Sequence, residues 1–137
     1  TGSLVKRLPF KEGTQLEYPI LELYYKNDKL GDPLINEYHA YALSLCQPED
    51  IRAMFRMTSK VNAILKSYFE RRELILVDFK LEFGRKGTDL IVADEISPDT
   101  CRIWDKKTHK KLDKDRFRFD MGGIEQAYQE VLERIES

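Results

Sequence analysis

Residues 76–84 read Leu-Val-Asp-Phe-Lys-Leu-Glu-Phe-Gly, and no other stretch limits the possible folds as tightly. Val77, Phe79, Leu81 and Phe83 alternate with Asp78, Lys80 and Glu82. Side chains alternate across a strand, so four apolar groups share one face and three charges share the other. Same-face neighbours on a strand stand ~7 Å apart. An acid, a base and a second acid at that spacing can act on one bound phosphate or metal ion. The same pattern also builds a half-buried strand with a solvated outer face, since structural charge pairs are common.

The residues after this strand bear on that choice. Gly84 and Gly87 bracket a polar segment that predicts a hairpin loop. A short apolar run, 90–93, then ends in Asp94-Glu95. If the two strands pair antiparallel, Asp94 returns beside the charged face, although sequence does not fix the register. Glu82 and Asp94 would then be two carboxylates from neighbouring strands, a set that suits Mg²⁺ completed by substrate phosphates. Lys80 could neutralise a phosphate, and Asp78 could orient a substrate or take a proton.

The remaining elements follow from periodicity. Residues 16–26 read as a strand, with Pro19 marking an edge or a start. Asp32 precedes Pro33, which biases it toward extended backbone and could aim its carboxylate at a ligand. Asn36 is placed to cap a short helix over 38–45. Pro48, Glu49 and Asp50 open a helix predicted over 49–72, carrying Ile51, Met54, Phe55, Thr58, Val61, Leu65 and Tyr68 at helical spacing. Residues 74–83 form the central strand, and 101–105 a short extended piece. Within that piece Arg102 suits either bidentate phosphate contact or a stack on Trp104. Gly122-Gly123 precedes an amphipathic helix running to Ile135. No repeat, low-complexity segment or linker interrupts the chain. The expected fold is α+β: a mixed or antiparallel sheet, with a hairpin over 74–95 and the two long helices packed on it.

Charge and composition exclude several classes. The 137 residues suffice for one domain with a core, and 23 basic against 24 acidic residues give a net charge of -1. That balance argues against a nucleic-acid partner. Cys46 and Cys101 form neither a disulfide framework nor a zinc motif, which fits a reducing compartment. His39 and His109 are isolated, so a His-based metal site is not expected. No apolar run approaches a membrane span and no signal peptide opens the chain, so the expectation is a soluble cytoplasmic protein without membrane contact.

Together these blocks closely resemble the SAICAR synthetase family of purine biosynthesis. Residues 76–84 resemble that family's second signature at every position. Thr1-Gly2-Ser3 resembles the end of its first signature, followed by Leu4-Val5-Lys6-Arg7. Residues 32–37, 94–99, 102–105 and 112–118 also match in order and approximate spacing. The chain begins inside a motif, so the resemblance is to the C-terminal, ATP- and substrate-binding lobe (residues 1–137) of a two-lobed, ATP-grasp-like fold. The family's N-terminal lobe, with its glycine/lysine loop over ATP, lies outside this sequence. This portion alone is expected to bind nucleotide poorly and to turn over little.

The resemblance implies an ATP- and Mg²⁺-dependent ligase joining carboxyaminoimidazole ribotide to L-aspartate. It gives Glu82 and Asp94 as metal ligands, Lys80 as a contact to phosphate or the reacting carboxylate, and Asp78 as a substrate-orienting acid. Ser3, Arg7 and Arg102 become ribotide contacts, with Lys6 beside them. Asp32 and the Lys114–Arg118 block, Lys114 and Arg118 foremost, become contacts at the imidazole and aspartate sites. The resemblance is compatible with a homodimer. The alternative reading is a non-catalytic nucleotide-binding or regulatory module of the same fold. Against it stand the four retained groups Asp78, Lys80, Glu82 and Asp94.

Overall fold

The computed structural model describes residues 4–137. They group into two compact units, one ending at Cys46 and the other Gln47–Ser137.

The first unit has little regular structure. It holds the short helix α1 (Leu4–Arg7), strands β1 (Leu23–Tyr24) and β2 (Leu34–Ile35), and helix α2 (Glu37–Ala42). β1 and β2 pair antiparallel, Leu23 opposite Ile35 and Tyr24 opposite Leu34. The strand expected over 16–26 is thus reduced to two residues. Tyr18 is 74% exposed and Ile20 44% exposed, so the apolar run before β1 has no face in this unit to pack on. Asp32 also departs from expectation, lying at φ +49 rather than extended. Its carboxylate accepts the Asn27 N–H at 2.7 Å, while its own N–H donates to the Asn27 carbonyl. Closing the 27–32 turn therefore outweighs the pre-proline bias. Asn36 caps α2 as predicted: its side chain accepts the His39 N–H, and His39 Nδ1 accepts the Asn36 N–H.

The second unit carries the core. Helix α3 (Pro48–Glu70) starts with Pro in its first turn, and Asp50 Oδ2 accepts the Gln47 N–H at 2.8 Å. Strand β3 (Leu74–Phe79) follows and pairs antiparallel with β6 (Cys101–Asp105). Strand β4 (Glu82–Lys86) pairs antiparallel with β5 (Asp89–Ala93). The short helix α4 (Asp115–Arg118) and helix α5 (Ile124–Glu136) complete the unit. Phe69, Leu74, Cys101, Ile103, Leu112, Ala127 and Val131 form the buried cluster, flanked by Leu65, Leu76, Phe79 and Tyr128 among others. Helices α3 and α5 and the β3–β6 pair thus share one core.

The expected single sheet divides into three antiparallel pairs among the described residues. All three are antiparallel, in keeping with the expected α+β fold. The central strand breaks at Lys80-Leu81, and the hairpin covers 82–93 rather than 74–95. Its two-residue loop starts with Gly87 at φ +63, a conformation that glycine adopts without penalty. The first half of the expected strand pairs instead with residues beyond the hairpin. Among the described residues, no helix is long and apolar enough to cross a membrane.

Candidate active site

The charged face of the central strand depends on a bulge. In β3, Leu76 lies opposite Ile103 and Asp78 opposite Arg102, which leaves Val77 as an extra residue. Before the bulge, Leu74 and Leu76 lean on the core; after it, Phe79 does. One inserted residue reverses the parity of the strand. Without it, Asp78 would continue the inward series of Leu74 and Leu76. With it, Asp78 is half exposed and meets Arg102: the guanidinium Nη1 donates to both its oxygens, at 3.1 and 2.8 Å.

Arg102 is also held from the other side. Its Nε donates to Asp115 Oδ2 at 2.8 Å, and Asp115 is fully buried. Asp113, equally buried, accepts the Ile103 N–H at 2.7 Å and the Asp115 N–H at 2.9 Å. Burial raises the Asp113 pKa, against the lowering effect of those two N–H donors. Trp104 does not stack on Arg102; its ring lies against His109, with Lys111 over its face.

At the break in the strand, Lys80 takes the centre of a second group. Its backbone N–H donates to the Thr100 carbonyl at 2.9 Å. Its ammonium lies 2.9 Å from Glu82 Oε1 and 3.4 Å from Asp94 Oδ2. The Glu82 hydrogen bond, opposed by burial and helped by Asp94, raises the Lys80 pKa. Pairing of Glu82 with Ala93 puts the next residue, Asp94, at the mouth of the hairpin beside Glu82. Asp94 itself sits at φ +74, an uncommon conformation for a non-glycine residue and one that recurs at ligand sites.

The loop from Asp94 to Thr100 joins the two groups. Thr100, buried, accepts the Ser97 N–H at its hydroxyl and donates to the Glu95 carbonyl at 2.9 Å. The Pro98 carbonyl accepts the Lys114 N–H, and Tyr128 of α5 donates to Asp99 at 2.6 Å. Burial lowers the Lys114 pKa, and Arg118, Arg102 and Lys80 lower it further while Asp78 opposes them. Four of the expected cations, Lys80, Arg102, Lys114 and Arg118, therefore share one electrostatic field. Clustered cations suit an anion such as a phosphate.

Asp78, Lys80, Glu82, Asp94, Arg102, Lys114 and Arg118 thus come together in the second unit. The other expected residues belong to the first. Lys6 is exposed on α1. Arg7 pairs with Glu22, which also accepts from the Tyr24 hydroxyl at 2.9 Å. Asp32 closes its own turn, and Ser3 lies outside the described residues. Sequence reasoning placed Asp113 and Asp115 in a charged, family-like block without giving either a role of its own, and it passed over Thr100. The dense alternation of charge over 113–118 was the available signal for the first two; nothing local marks Thr100.

Among the described residues, no three His, Cys, Asp or Glu side chains gather as a ready-made metal cage. The carboxylates of Glu82 and Asp94 nevertheless converge on one cationic position, filled by the Lys80 ammonium. That donor set fits Mg²⁺, which commonly takes one or two carboxylates and completes its shell with water and phosphate oxygens.

Residues 1–135 match the family model described as SAICAR synthetase. A phosphoribosylaminoimidazole-succinocarboxamide synthase from a Thermoanaerobacter species is 58% identical over 134 residues, which is 98% of this chain and 57% of that protein. The chain therefore spans little more than half the length of the curated relatives it matches. The crystal structure of SAICAR synthetase from Pyrococcus horikoshii superposes with a TM-score of 0.94 at 56% identity, covering 99% of this chain and 60% of that one. A SAICAR synthetase in complex with ADP gives the same TM-score and identity, over 98% of this chain and 58% of that one.

Proposed function

This chain belongs to the SAICAR synthetase family, and from that premise we propose that it is the C-terminal lobe of an ATP-dependent ligase of purine biosynthesis. The reaction joins the carboxylate of carboxyaminoimidazole ribotide to the amine of L-aspartate, releasing ADP and phosphate. The observation that carries the reading is the convergence of Lys80, Glu82 and Asp94 beside the Asp78–Arg102 pair. The ADP bound by a relative of the same fold supports a nucleotide as the phosphoryl donor.

A carboxylate is a poor acyl donor. Phosphorylated, it becomes an acyl phosphate that an amine displaces, and positioned cations stabilise the charge on the transferring group. Glu82 and Asp94 would hold Mg²⁺, whose chemistry there is to neutralise and orient phosphate oxygens. Lys80 contacts the phosphoryl group or the reacting carboxylate, and Asp78 orients the ribotide. Arg102 binds the ribotide's phosphate, with Lys114 and Arg118 adding positive charge for the ribotide and aspartate. By resemblance to the family alone, Ser3, Lys6 and Arg7 are assigned to the ribotide and Asp32 to the imidazole or aspartate. A cytoplasmic location accords with this pathway.

The test is Glu82→Gln in the full-length ligase. The substitution keeps the side chain's shape and removes one ligand charge. Mg²⁺-dependent ADP release should be lost while circular dichroism stays that of the wild type. Unchanged activity at low Mg²⁺ would end the assignment of Glu82.

A further inference from the structure

We infer that Asp115 is a positioning residue: a buried carboxylate that sets the plane of the Arg102 guanidinium for an arriving phosphate. The inference rests on the reading of Arg102 as an anion contact and adds to it a role for a residue inside the 112–118 block, to which sequence reasoning assigned no separate part.

Arg102 has two unlike partners. Asp78 is half exposed, with its side chain 50% accessible, whereas the Asp115 side chain is 0% accessible. An ion pair with one partner half exposed is weaker and exchanges more readily with water or a ligand than one whose carboxylate is buried. Breaking the buried one strands a charge away from water. The guanidinium is thus fixed along its Nε edge and exchangeable along its Nη edge. An incoming phosphate can replace Asp78 at Nη1 without the arginine having to reorient. Planar bidentate recognition depends on that orientation.

Asp115 is itself held. Its N–H is bound by Asp113, whose other oxygen accepts the Ile103 N–H. Ile103 directly follows Arg102 on β6, so two buried carboxylates tie the start of α4 to the strand at adjacent residues. Lys114 lies between the two aspartates, and Arg118 ends the same short helix. The turn that fixes Arg102 therefore also carries two further cations of the site. A fully buried carboxylate is a costly way to gain stability, since well-packed apolar groups of similar volume often do as well or better. Its value here is in the geometry it imposes.

The experiment uses the full-length ligase with Asp115→Asn, Arg102→Ala and the double variant. Steady-state KM is measured for ribotide, aspartate and ATP, and the Arg102 Nε–H resonance is followed by ¹⁵N NMR. Arg102→Ala identifies the resonance. In the wild type, the Nε–H should be protected from solvent exchange. Asp115→Asn, which keeps an amide oxygen but removes the charge, should weaken that protection and raise the ribotide KM about tenfold, the scale of a lost charge-assisted hydrogen bond. The KM for aspartate and for ATP should stay within about twofold. On the Arg102→Ala background, Asp115→Asn should add nothing further. An equal loss on both backgrounds would overturn the inference. So would an unprotected Nε–H in the wild type, a result that needs no variant to fold. If Arg102→Ala leaves the ribotide KM unchanged while Asp115→Asn still weakens the protection, Asp115 positions Arg102 as inferred and the phosphate role of Arg102 is what fails.

Discussion

Replacing Lys80 with Met should strengthen divalent-cation binding by the isolated chain, although Lys80 is itself assigned to the reaction. The ammonium occupies the position on which Glu82 and Asp94 converge, at 2.9 and 3.4 Å. A divalent ion entering there must first displace it. The Lys80 side chain is 55% exposed, so each pair is worth only the ~0.2–1 kcal/mol of a solvent-facing ion pair. Two such pairs sum to about 0.4–2 kcal/mol, or about two- to thirtyfold in dissociation constant. Met preserves the length of the stem and removes the charge. The assay counts free Mn²⁺, as a surrogate for Mg²⁺, by electron paramagnetic resonance in nucleotide-free protein. Glu82→Gln serves as the control that removes a ligand. The Lys80→Met advantage should shrink as ionic strength rises, because screening weakens the displaced pairs. Equal or weaker Mn²⁺ binding by Lys80→Met would refute the argument, since it would mean that the lysine does not contest the cation position.

Two further predictions concern the scaffold that carries the site. Leu112 is 0% exposed within the core cluster and directly precedes the Asp113–Asp115 turn. Leu112→Ala should cost about 3 kcal/mol, within the range for a buried leucine, read as a lower urea midpoint with the denaturant slope unchanged; a loss under about 1 kcal/mol would mean that the site's turn is not anchored there. Asp105 accepts the Thr108 and Lys107 N–H groups and the Arg134 guanidinium, and these bonds, led by that to Thr108, lower its pKa from the ordinary aspartate value. Its stabilisation is therefore complete above the unfolded value of ~3.9 and is lost as pH falls through the lower folded value. Asp105→Asn should destabilise the chain at neutral pH and flatten the acid limb of a stability-versus-pH curve; an acid limb as steep as that of the wild type would remove Asp105 as its source.

Much of the site was legible in the sequence because its signals are local. The alternation over 76–84 placed Asp78, Lys80 and Glu82 on one side, and the two glycines after it announced the hairpin that returns Asp94. Asp32 shows where local rules stop: the pre-proline bias indicated extended backbone, and hydrogen bonds to Asn27 held it at φ +49 instead. The strand expected over 16–26 failed for a related reason. Its residues carry β propensity, but propensity becomes a strand only where a partner supplies backbone groups, and β2 offers just two residues.

The helices 48–70 and 124–136, the identity of the charged groups and the family could all be read from neighbouring positions, since a 3.6-residue period and a nine-residue signature are both local patterns. Tertiary packing was needed to make Val77 bulge, to break the strand at Lys80-Leu81, and to turn β3 from the hairpin to pair with β6. Register and bulges minimise the energy of two strands together, so neither strand carries them alone. The same holds for Asp115. Its charge is plain in the sequence, but its burial against Arg102 exists only once a segment thirteen residues away has packed across β6.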